Sequence, residues 1–351
     1  MSNDFDFQNN ETPQNGGVNR EFVWESPFTP RYSPQELAEI KERKEITRSA
    51  NAIGISLILM IVFSTALSFG LFILNAVTRR NFSGEPANQQ VFQVFFSIFS
   101  FTLPFIICQK VIGRRISDTV SFKKTEKGMA LPLFFFGVAS CSFCNIGASY
   151  IYNIFNAFGI DYSVGETSFP KGIFGFLLVV IARAIVPALV EEFALRGIVL
   201  GSLRRFGDGF ALIASSVCFG IMHGNFEQIP FAIMVGLFLG FTVIKTNSLR
   251  VAMAIHFYNN LISVIFSYIP DSISMDTQNL IYTVLLLASL VVGILFLKNR
   301  DGEFFTIEKS ETALKSKEKY KAFFGSAGII VFICINFLEA FSIILLNLVG
   351  G

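Results

Sequence analysis

A chain of 351 residues in which 52% are hydrophobic and only 15% charged does not read as a soluble domain, where about 25% of residues carry charge. Its net charge of +2 gives no basic field for nucleic acid, and no nucleic-acid partner is expected. The five cysteines (Cys108, Cys141, Cys144, Cys218, Cys334) all lie in apolar stretches. The Cys141/Cys144 pair has no second CxxC beside it, so they read as small apolar helix residues, with no disulfide framework.

The apolar residues fall in blocks of about 20, the length that crosses roughly 30 Å of hydrocarbon at 1.5 Å per residue. Residues 1–48 precede the first block. They are rich in Asn, Gln, Pro and charge and lack the apolar core of a signal peptide, which predicts a disordered cytoplasmic tail. Phe22 to Tyr32, with the sole tryptophan Trp24, is the part of that tail suited to the membrane surface. Candidate spans then follow at 50–77, 91–112, 129–157, 173–203, 209–224, 227–245, 250–268, 277–297 and 327–349, the fifth being short. The fold class expected is all-α, a polytopic transmembrane bundle of eight to nine spans. Residues 49–297 form the main bundle, 298–326 a basic cytoplasmic segment, and 327–351 a final transmembrane helix.

The connections alternate in charge. Arg43, Lys44 and Arg48 precede the first span, Arg114, Arg115, Lys123 and Lys124 follow the second, and Arg204 and Arg205 follow the fourth. The intervening loops hold Asp161, Glu166, Glu227 and Asp271 instead, with Arg79 and Arg80 as the exception. By the bias of Lys and Arg toward the cytoplasm, the N-terminus is cytoplasmic.

Ionisable residues inside spans are costly and mark function by default. They are few: Arg183, Glu191, Glu192, Arg196, His223, His256 and Glu339. The chain has two histidines, and both are among them. Glu192 and Arg196 stand at i and i+4 with the acid first, the favourable order for an ion pair. Glu191 is turned about 100° away on the same helix, so one carboxylate is neutralised and the other left available. His256 and Asn260 share a face four residues apart, Phe219 lies one turn before His223, and Asn225 and Asn259 are weaker polar neighbours. Counted from Arg205, Glu191 is about 21 Å deep; His223 is about 22 Å from Asp208; His256 is only about 9 Å from Arg250. A shared layer therefore requires tilt or a late start for the span carrying His256.

The motifs Glu191-Glu192-x-x-x-Arg196, Phe219-x-x-x-His223 and His256-x-x-x-Asn260, in that order on apolar helices, resemble the CAAX-protease and bacteriocin-processing family of intramembrane proteases. The resemblance covers residues 129–268. It implies peptide-bond hydrolysis on a peptide or membrane-protein substrate, with Glu191 as general base helped by His223, and with His256 and Asn260 stabilising the oxyanion. Glu192, Arg196 and Phe219 support the site. It leaves open a metalloprotease form in which Glu191, His223 and His256 hold a divalent metal such as zinc, a donor set zinc accepts. The expected location is the plasma membrane of a bacterium. Two alternatives stand beside the protease: a non-catalytic member of the fold acting as scaffold or bacteriocin self-immunity protein, and a proton-coupled transporter.

Overall fold

The computed structural model describes residues 32–82, 84–159, 168–269, 273–298 and 302–350. The tail stretch around Trp24 and the loop acids Asp161, Glu166 and Asp271 lie outside them. Every regular element among the described residues is helical. We number the helices α1 (Pro34–Thr78), α2 (Pro86–Ile112), α3 (Lys127–Ala157), α4 (Gly172–Phe206), α5 (Asp208–Ile221), α6 (Ile229–Thr246), α7 (Leu249–Phe266), α8 (Met275–Leu297), α9 (Ser316–Phe324) and α10 (Ala327–Gly350). Eight of these are long and apolar enough to cross a membrane. The two remaining are α5 and the short polar α9.

Two boundaries differ from expectation. The first helix begins at Pro34, so residues 34–48, expected as tail, are helical. A capping box explains this: the Ser33 hydroxyl accepts from the Glu36 amide at 3.2 Å and the Ser33 amide donates to the Glu36 carboxylate at 2.7 Å, with Pro34 pre-set for the first turn. The fifth span, expected to end at 224, stops at Ile221 as a helix of 14 residues, about 21 Å. The chain turns there because Gly224 takes φ +64°, a conformation that glycine adopts without a Cβ clash.

Helices α5 and α6 form an antiparallel hairpin that starts and ends at one level, where Arg204 bonds Asp208 at 2.8 Å and Asn247 at 2.9 Å. Small residues let the two backbones approach. A Cβ at Gly220 would meet the Ile229 carbonyl and Ile233, one at Gly236 would meet Ser216, and one at Gly240 would meet Leu212. Close packing of this kind holds helices together where lipid offers no hydrophobic drive. Within the hairpin's turn, residues 222–228, Gly224 and Asn225 are buried, Gln228 is exposed and the others are half-buried.

The depth mismatch of His256 is resolved at the opposite end of the bundle. The 116–123 segment tucks beneath α4, with the Thr119 carbonyl against Gly201 and Val120 against Gly197. It also ties down the start of α7: the Leu249 amide donates to the Ser121 carbonyl at 2.9 Å, and the Ser248 hydroxyl to the Lys123 carbonyl at 2.7 Å. Leu249 thereby lies beside Gly197. From that common level Glu191 is six residues up α4 and His256 seven residues up α7, about 9 and 10 Å. The late start that the sequence required is built by this segment.

Residues 298–326, expected as a basic segment, hold α9, which is docked rather than free. The buried Lys319 ammonium donates to the Phe206 carbonyl at 2.6 Å, Arg43 pairs with Glu318 at 2.9 Å, and the Leu314 amide donates to Glu42 at 3.0 Å. The five cysteines are all free, and four of them are buried.

Candidate active site

Helix α4 is not a regular α-helix. It widens into π-type turns at Ile181–Ile185 and Glu192–Leu200. Pro187 accounts for the first, since it has no N–H for the carbonyl of residue 183 and its ring clashes there. Wide turns of this type recur at functional sites, and here the two flank Glu191.

The second wide turn carries a buried charge cluster. Arg196 Nη1 donates to Glu192 Oε1 at 2.8 Å, with side-chain exposures of 1% and 0%. His256 Nδ1 lies 2.9 Å from the same oxygen. A carboxylate paired with arginine only accepts, so Nδ1 carries the proton and donates. Phe219 completes the cluster. The Arg196 guanidinium lies 3.9 Å from its ring centroid, and both histidine rings meet it edge-on, His223 at 5.1 Å and His256 at 5.9 Å.

Glu191 faces the other way. Its side chain keeps 15% exposure, and one oxygen lies 3.8 Å from His256 Nε2. It opens on a cavity of about 600 Å³ lined also by His223, His256, Phe219, Asn259, Asn260, Asn145 and Arg183. His223 Nδ1 is 2.8 Å from the Phe219 carbonyl. That oxygen accepts only, so Nδ1 is the protonated nitrogen and a neutral His223 keeps its lone pair on Nε2. Asn225 fixes the turn that carries it, donating to the His223 carbonyl at 2.9 Å and accepting from the Gln228 amide at 2.8 Å.

The structure therefore brings Glu191, His223, His256, Asn260 and Phe219 to one cavity and seals Glu192 and Arg196 behind it. Sequence reasoning missed Asn145, whose amide donates to Asn259 at 3.1 Å while Asn259 donates to Asn260 at 3.3 Å. An amide inside the apolar run of α3 was the available signal. Glu339 of α10 stands against Gly224, beside the His223 turn, with its side chain exposed.

Glu191, His223 and His256, the expected zinc set, line one cavity. Both histidines are oriented as ligands would be, with Nδ1 held by an acceptor. Yet among the described residues no three His, Cys, Asp or Glu side chains converge closely enough to hold a metal ion.

Comparison with known proteins points the same way as the geometry. Residues 173–262 match the model of the type II CAAX prenyl endopeptidase Rce1-like family. That stretch runs from α4 into α7 and contains every motif residue from Glu191 to Asn260. Over 124 residues the chain is 28% identical to the membrane-embedded CAAX protease MroQ of Staphylococcus aureus (strain USA300), covering 30% of this chain and 50% of that protein. The chain thus spans about half the length of that relative. No solved structure matches.

Proposed function

We propose that this chain, whose residues 173–262 match a CAAX-protease family model and which has eight helices long and apolar enough to cross a membrane, is an endopeptidase that cleaves a membrane-associated peptide or protein with a water activated by Glu191. The observation that carries the reading is the division of labour on α4. Glu192 is consumed by Arg196 and His256, while its neighbour Glu191 faces a polar cavity between apolar helices. Such a cavity is what hydrolysis inside a bilayer needs, because water is otherwise absent there.

In the proposed reaction Glu191 takes a proton from water as the water oxygen bonds to the scissile carbonyl carbon. His223 Nε2 accepts the water's second hydrogen and aims the nucleophile. The carbonyl oxygen becomes an oxyanion facing the Asn260 amide, the donor of the same cavity, with the His256 ring held beside it by Glu192. Collapse breaks the C–N bond, and Glu191 returns its proton to the leaving amine. No step is routed through a metal. We place the protein in a bacterial plasma membrane, by analogy with its staphylococcal relative.

The test is cleavage of a quenched fluorescent peptide library by the purified wild type and Glu191→Ala, with and without a zinc chelator. Cleavage by the wild type alone, at unchanged thermal unfolding and regardless of chelator, supports the reading. Equal cleavage by both proteins removes Glu191 from the mechanism, and loss of wild-type activity to the chelator restores the metal form.

A further inference from the structure

Two ionisable residues that line the cavity, Arg183 and Glu227, have no part in the proposed chemistry. Arg183 lies inside the apolar helix α4, where a charge is expensive and persists for a reason. It is the cavity's cationic side chain. Its Nε donates to the buried Gln90 of α2 at 3.1 Å, and its guanidinium lies 4.9 Å from the ring centroid of Phe169. Phe169 is itself stacked on Tyr268 at 5.8 Å, and the Tyr268 hydroxyl donates to the Pro170 carbonyl at 2.8 Å. The fork is thus held by two neighbouring elements. Glu192 is paired with Arg196 and Glu191 approaches His256, so neither carboxylate of that pair holds Arg183.

Arg183 precedes Glu191 by eight residues on the same helix, about 12 Å along the axis. Eight residues would leave the two about 80° apart on a regular α-helix. The wide turn at Ile181–Ile185 takes up part of that excess and brings both to the cavity. An extended peptide advances about 3.3 Å per residue, so 12 Å corresponds to about four residues of bound substrate.

Resting on the protease reading of the same cavity, we propose that Arg183 is a specificity-determining residue that binds a carboxylate of the substrate within about four residues of the scissile bond. The carboxylate belongs to an acidic side chain or to a chain terminus. The planar fork suits bidentate binding of such a group.

Binding separates this proposal from the chemistry. The full-length wild type, Arg183→Gln and Arg183→Lys, each in lipid nanodiscs, are titrated against fluorescein-labelled apolar octapeptides. The peptides come in matched sets: Asp or Asn swept through the last five positions, and the C-terminus free or amidated. The wild type is expected to bind one carboxylate peptide about tenfold tighter than its neutral partner, the scale of a charge-assisted hydrogen bond. The Asp/Asn arm and the acid/amide arm tell side chain from terminus. Arg183→Gln should abolish the preference, and Arg183→Lys should keep part of it. Should Arg183→Gln fail to fold, an undiminished preference in Arg183→Lys overturns the assignment. So does a wild type indifferent to every pair, or a preference that survives Arg183→Gln. A wild type that discriminates but cleaves nothing supports Arg183 as a carboxylate site and sinks the protease reading instead.

Discussion

The two sides of α4 at the site can be compared residue against residue. On one side Glu192 is sealed with Arg196, His256 and the ring of Phe219. On the other, a single residue away, Glu191 meets a cavity that holds His223 and Asn260. Both are glutamates in a span, and both approach His256. They differ in what surrounds the second oxygen and in access to water. The dry side fixes geometry: Glu192 orients His256, and Phe219 links Arg196 to both histidine rings. In the proposed mechanism the carboxylate left out of the ion pair is the one that serves as base.

The largest effect should come from the wet side. Glu191→Gln keeps shape and removes the base, and peptide cleavage by the purified protein is expected to fall about 10²–10⁴-fold, the usual share of general-base catalysis. Its thermal unfolding should match the wild type. A variant that loses activity and melting temperature together would make Glu191 a structural residue like its neighbour.

The dry side should respond in the opposite manner. Arg196→Met leaves Glu192 as an uncompensated buried charge, a loss of about 3–5 kcal/mol in unfolding free energy. The double variant Glu192→Leu/Arg196→Met removes both charges and is expected to recover most of that stability. It should not recover cleavage, because His256 then has no acceptor for Nδ1. Denaturant unfolding of the two single variants and the double one gives the coupling directly. Additive losses would show that the pair does not act as a unit.

A smaller change is expected at Phe219. Phe219→Leu keeps apolar volume but removes the face under Arg196 and the edge contacts to both histidines. Loss of a desolvated cation–π contact costs about 1–2 kcal/mol. Unfolding should shift by that amount with a modest fall in cleavage rate. A fall as large as that of Glu191→Gln would place the ring in direct contact with substrate.

The sequence carried the Glu192–Arg196 pair because i, i+4 spacing on a helix is a local rule. It carried the long apolar spans because bilayer thickness dictates their length. The site's three-helix convergence was legible only as a depth problem, and its solution is non-local. The backbone of residues 116–123, more than a hundred positions from His256, sets where α7 begins. The start of α1 at Pro34 was written in Ser33 and Glu36, but its polar composition masked a helix that is continuous with the first span. Asn145 escaped notice because one amide in an apolar run has no spacing partner. Arg183 was flagged by its cost alone, and only the cavity shows what it faces.

The same contrast between sealed and open carboxylates recurs at the end of the bundle that holds α9, where it yields the smallest predicted effect. Glu42 is largely covered and accepts from the Leu314 amide at 3.0 Å, whereas Glu318 is solvent-exposed and holds Arg43 at 2.9 Å. The hydrogen bond from Arg43 is the main cause that keeps the Glu318 carboxyl below its ordinary value of 4.5, aided by the positive charges of Arg43, Lys321 and Lys317. A folded-state value below the unfolded one means a contribution present above 4.5 and lost as pH falls through the lowered value. Acidification below about pH 4.5 should therefore loosen α9 from α1, visible as faster amide exchange in Ser316–Phe324 with the spans unchanged. Because the pair is exposed, raising the salt concentration at neutral pH should act in the same direction. Arg43→Gln should abolish both responses. If α9 exchange stays flat through the acid range, its docking rests on the Lys319 and Leu314 bonds alone.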